Sequence, residues 1–129
     1  MRLLLLLPLL VGCSQSDATR LQQTLDEYAS LSAQASQLGS VLTGDALASA
    51  QKSEELLENL GITQIGQAKF EVLAAAEGEG QGCLDLSGVE LLNAKGERII
   101  PSRPDRVAFE ASYEANFMVS YLVITEEIC

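Results

Sequence analysis

The chain is 129 residues long and 47% hydrophobic, with 8 basic and 18 acidic side chains, no histidine and no tryptophan. That is one domain's worth of sequence, with enough apolar residues for a small core. A formal charge of −10 repels phosphate, which argues against a nucleic-acid partner and against direct adhesion to anionic headgroups.

Arg2 is followed by an apolar run from Leu3 to Val11, closing at Leu10-Val11-Gly12-Cys13. One basic residue, a short apolar stretch and small residues before a cut site have the build of a secretory signal. The run is too short to span a bilayer, which takes roughly 17–25 helical residues. Ending in a cysteine, the segment resembles the bacterial lipoprotein lipobox. The resemblance implies that residues 1–12 are removed and that Cys13 carries a diacylglyceryl group on sulfur. The mature protein is then held on the extracytoplasmic face of a membrane, since two acyl chains anchor stably where one does not. Ser14 suits outer-membrane sorting in a Gram-negative host.

The sequence has three cysteines. With Cys13 consumed by lipid, Cys83 and Cys129 are left in an oxidising compartment, where a structural disulfide is the expected state. Their spacing does not fit zinc, and there is no histidine to complete a metal site.

Residues 13–16 read as a polar tether, and 17–61 as a helical segment. Ser16 or Asp17 can cap a helix in which Leu21, Leu25, Tyr28, Leu31, Ala35 and Leu38 recur at helical spacing, up to Gly39. A second helix starts at Thr43-Gly44-Asp45, with Thr43 or Asp45 as cap. Ala46, Ala50, Leu57 and Leu60 form its stripe, Leu47 and Leu56 flank it, and Gly61 stands at the left-handed C′ position. Glu54, Glu55 and Glu58 read as the solvated face. A continuous helical spacer is opposed by Ser32, Gly39 and Ser53 at core heptad positions.

Over residues 67–129 the period changes to that of strands. Phe70, Val72, Ala74 and Ala76 alternate on a first strand, and residues 77–82 form a glycine-rich turn or hairpin tip. Leu84, Leu86, Val89 and Leu91 follow on a second, with a bulge near Gly88. Asn93-Ala-Lys-Gly96 is a hairpin turn, and Pro101 to Pro104 a loop. Val107, Phe109, Ala111 and Tyr113 lie on one strand and Phe117, Val119, Tyr121 and Val123 on the last, joined at residues 114–116. Helices first and an antiparallel meander after predict an α+β domain, with the helices lidding the sheet's apolar face.

Several stretches together resemble a group of small secreted actinobacterial proteins. They are Leu42-Thr-Gly-Asp-Ala-Leu47, Leu60-Gly-Ile-Thr-Gln-Ile-Gly66, Cys83-Leu-Asp-Leu-Ser87, Leu92-Asn-Ala-Lys-Gly96 and the terminal Cys129. That group is similar to the nuclear-transport-factor-two-like cone fold, with N-terminal helices packed into a curved antiparallel sheet. The resemblance implies a Cys83–Cys129 disulfide and a Gram-positive plasma membrane, and it transfers no catalytic set. Its usual tryptophan on the last strand is replaced here by Phe117.

In such a fold acid–base groups belong inside the concavity. The candidates are Asp85, Glu110, Tyr113 and Tyr121, yet alternation sends Asp85 and Glu110 away from the leucine and phenylalanine face. Arg98, Arg103 and Arg106 offer an anion clamp around the proline loop, against the simpler reading of solvated cations. No phosphate loop, serine elbow, cofactor motif or metal cluster appears. The expectation is a lipid-anchored, non-enzymatic envelope module that binds another envelope protein or a small apolar ligand. Exclusion of competing phages at the cell surface is one form of it, were the gene a phage's. The alternative is a cone-fold enzyme acting on a small apolar substrate.

Overall fold

The computed structural model describes residues 15–31 and 35–129; residues 1–14, on which the signal and lipobox expectations fall, and Ser32 lie outside the described residues. Helix α1 (Asp17–Leu31) opens on Ser16, whose Oγ accepts the backbone N–H of Thr19 at 3.2 Å. This is the capping bond the sequence predicts. Leu21, Leu25 and Ala29, four residues apart, bury one face of the helix. A 3₁₀ turn (Ala35–Ser40) then places Leu38 in the core, where α-helical spacing had been predicted to continue.

Helix α2 (Gly44–Asn59) follows Thr43, which occupies the N-cap position in extended conformation without a capping side-chain bond. Its C-terminus closes as a Schellman motif: Gly61 N–H bonds to Glu58 O and Ile62 N–H to Leu57 O, with Gly61 at φ +67°. Ala46 is buried, and Leu47 and Ala50 pack against the core. The expected stripe fails at its end, where Leu60 is exposed, as is the flanking Leu56.

The strands form two antiparallel sheets instead of one meander. The larger has the order β2 (Lys69–Ala76), β3 (Glu79–Asp85), β6 (Arg106–Tyr113), β7 (Val119–Ile128). The smaller has the order β1 (Thr63–Ile65), β4 (Glu90–Leu92), β5 (Arg98–Ile99). What reads in sequence as one strand from Leu84 to Leu91 is therefore divided between sheets, with a turn closed by Val89 N–H to Leu86 O at 3.0 Å. The sheet portion also begins earlier than residue 67, at Thr63.

Strand phase departs from expectation twice, each time at a bulge. Leu73 is an extra residue between Val72 and Ala74, so Ala74 and Ala76 face outward and Ala75 packs inward. A second register shift between Ser112 and Tyr113 puts Tyr121 opposite Ser112 and Val119 opposite Tyr113. Leu122 consequently packs against the core, while Tyr121 is exposed. Phe117 is in the β6–β7 turn at φ +63°, not on the strand. The β2–β3 turn is only Glu77-Gly78, and Gly80 lies within β3. A Cβ at Gly80 would run into Leu21, so its absence lets α1 press onto the sheet.

α1 lies on β2 and α2 against β7, which rules out the helical spacer. Gln22 of α1 also caps the free edge of β2. Its amide donates to Phe70 O at 2.6 Å and accepts Val72 N–H at 2.8 Å, as the peptide of a neighbouring strand would. Cys83 on β3 and Cys129, just past β7, are joined with Cα atoms 5.7 Å apart, so the chain end is strapped across β6. The fold is α+β, with N-terminal helices, antiparallel sheets after them, and a core centred on Leu21, Leu25, Leu38, Phe109 and Val119.

Candidate functional site

The residues singled out in sequence do not converge. Asp85 ends β3 on the face opposite Leu84 and accepts Ser87 N–H at 2.9 Å. The Ser87 hydrogen bonds, followed by the charges of Arg106 and Lys69, hold its carboxyl below the ordinary range. It is an ionised turn-former. Glu110 is exposed on the sheet's outer face, as alternation predicts, and shares a depression of about 500 Å³ with Tyr121 and the exposed Ala74 and Ala76.

Tyr113 is in the core instead. Its hydroxyl donates to Asp17 at 2.9 Å, and its ring stacks on Phe117 with centroids 5.1 Å apart. Burial, then the bond to Asp17, raises its pKa. Arg20 lies 4.2 Å over the Phe117 ring, completing a structural lock at the N-terminus of α1.

The arginines do not make a clamp. Arg98 pairs with Glu90 at 3.0 Å and Arg106 with Glu71 at 2.8 Å, both at the surface. Arg103 is on the exposed loop before β6. Glu90 on the adjoining strand and Glu71 two strands away take up two of the three charges. Among the described residues no cluster of three metal-ligating side chains occurs, and no helix is long and apolar enough to cross a membrane.

The site lies elsewhere, in a cavity of about 370 Å³ between the two helices and the two sheets. This volume is within the range of small-molecule pockets, roughly 300–1,000 Å³. Phe70 and Leu84 from the large sheet, Leu122 and Ile124 from β7, and Val89 and Leu91 beside them make apolar walls. The bulge before Tyr121 is what turns Leu122 inward, and the division after Leu86 brings Val89 and Leu91 of the small sheet into the lining. Polar groups also line it: Tyr28 from α1, Ser53 and Glu54 from α2, Gln64 from β1 and Arg103. A neighbouring hollow of about 640 Å³ shares Ala29, Glu54, Leu57 and Gln64 with it, so Glu54 stands between the two.

Glu54 is the residue that sequence reading placed wrongly, on the solvated face. It is partly covered, and burial raises its carboxyl pKa. Tyr28 is raised by burial first and by the Glu54 charge second. Its ring lies 6.0 Å from that of Phe70, which in turn meets Phe109 edge-on at 5.2 Å. The arrangement is an apolar chamber with an acid and a phenol at its mouth, able to enclose a small apolar body and hydrogen-bond its polar end.

No protein-family model matches the chain, and no curated protein sequence matches it. Among solved structures the fold is similar to the intermembrane space region of the chloroplast protein ARC6. The TM-score is 0.61 at 13% identity, and the match covers 88% of this chain and 100% of that one. A likeness at that identity is one of fold alone.

Proposed function

We propose that this chain is a lipid-anchored protein on the extracytoplasmic face of a bacterial envelope, whose domain binds a small apolar ligand and does not catalyse. The observation that carries the binding reading is the cavity under α2, lined mainly by apolar side chains with a few polar groups among them. Support for the compartment comes from the Cys83–Cys129 disulfide, since such bonds persist in oxidising surroundings. Support for the anchor comes from Leu10-Val11-Gly12-Cys13, placed just ahead of the start of α1 at Asp17. Helices closing one side of an antiparallel sheet accord with the cone-fold resemblance, in which the interior is the ligand site.

The anchor is tested by metabolic labelling with a palmitate analogue. The wild-type chain should take the label and fractionate with membranes, and Cys13→Ser should lose both. A Cys13→Ser chain that stays with the membrane sinks the anchoring reading.

One observation favours a second reading, a cone-fold enzyme. Glu54 is an acid of raised pKa on an apolar wall, the environment a general base requires. Under that reading Glu54→Gln abolishes the cellular phenotype while raising the melting temperature, because active sites carry desolvated charge.

A further inference from the structure

The cavity under α2 is lined mainly by apolar side chains, and beside them stand Glu54 and Tyr28. Among the described residues neither the Glu54 carboxylate nor the Tyr28 hydroxyl has a side-chain hydrogen bond or ion pair, so both are available to a guest. Glu54 is partly covered beside apolar side chains, and a cation pairs with its carboxylate where a neutral or anionic group does not. The Tyr28 ring, set at 41° to Phe70, gives the same spot an aromatic face, and aromatic faces attract ammonium groups. Arg103 also lines the cavity, but on an exposed loop where water screens its charge. The chain's formal charge of −10 draws cations towards the opening.

We infer that the cavity is a site for a small apolar amine. The body of the ligand lies against Phe70, Leu84 and Leu122, and its protonated nitrogen sits at the Glu54 carboxylate beside the Tyr28 ring. The inference rests on the binding reading above and names its ligand class. Raised proton affinity at Glu54 agrees with a carboxylate short of a partner.

Three naphthalene probes test it, sharing one ring system and differing in head group: methylamine, methanol and carboxylate. The chain has three tyrosines and no tryptophan, so naphthalene emission is read with little protein background. The full chain carrying Cys13→Ser is used, so that no acyl group competes. The amine should bind about tenfold more tightly than the alcohol, a difference of about 1.4 kcal/mol. Glu54→Gln, checked for an unchanged circular dichroism spectrum, should bring the amine to the alcohol's affinity and leave the alcohol where it was. Arg103→Gln should not weaken the amine, and Leu122→Trp, which fills the chamber, should remove all binding.

Tightest binding by the carboxylate, lost in Arg103→Gln, would overturn the proposal in favour of an anionic ligand. Equal binding of amine and alcohol, insensitive to Glu54, would reduce the site to a merely apolar one. In either case the binding reading survives its ligand class. A folded chain that binds none of the probes defeats both.

Discussion

Glu54 occupies a place that the rest of α2 gives to small or apolar side chains, four residues after Ala50 and three before Leu57. Its folded pKa is raised, so the folded state holds the proton more tightly than the unfolded chain does. The ionised carboxylate therefore opposes folding, and that penalty fades as pH falls through the folded pKa. Tyr28, its own pKa raised, stays neutral across the acid range; Arg103 lines the cavity as well, and Glu58 borders the adjoining hollow. Glu54→Gln should be the more stable chain at neutral pH, with the gap closing on acidification. Asp85 has the opposite sign: its pKa is lowered, so its contribution is present above the unfolded value and is lost as pH falls through the folded one. Thermal melts across the acid range separate the two, and a Glu54→Gln gap that widens on acidification contradicts the assignment. Outward acids on strands were legible, because alternation alone puts Asp85 opposite Leu84. Glu54 was not, since an acidic run on a helix reads as one wet face. The signal available was the gap it leaves in the Ala50–Leu57 stripe.

At the scale of elements, the C-terminal strand is retained by chemistry as well as by pairing. β7 ends in exposed Ile128, and Cys129 returns over β6 to Cys83. With the two cysteines 46 positions apart, the bond should stabilise the fold by about 4 kcal/mol on the loop-entropy argument. Cys129→Ser should lower the melting temperature by more than roughly 10 °C for a domain of this size. Reducing the wild-type chain should reproduce that drop, and reductant should do nothing further to Cys129→Ser. A shift of only a degree or two would mean that the β6–β7 ladder holds the terminus unaided. Element ends were legible wherever a side chain or a glycine imposes them, as at Ser16 and Gly61. Strand phase was not, because the bulges at Leu73 and beside Ser112 are relations between two strands and leave no mark on either alone. Nor does a strand as short as β1 show a period. Those unreadable features are the ones that shape the cavity, by turning Leu122 in and splitting Leu86 from Leu91.

The larger sheet has two edges, and the molecule as a whole depends on both being closed. The start of β7 is covered by residues 41–43, through Thr43 N–H to Val119 O and Val119 N–H to Val41 O, each at 2.9 Å. β2 relies on one side-chain amide, that of Gln22. An anchored protein meets its own copies in two dimensions, at crowding that solution never matches, and an open strand edge there is an invitation to pair. Gln22→Ala leaves the Phe70 carbonyl and the Val72 N–H unclaimed, with Leu73 protruding beside them. The variant should keep its fold yet form dimers and larger species in sedimentation at concentrations where the wild type is monomeric; a Gln22→Ala chain that stays monomeric would remove this role. Under the proposed lipid anchor, a single glutamine on the first helix would let many copies share a patch of lipid and remain separate molecules.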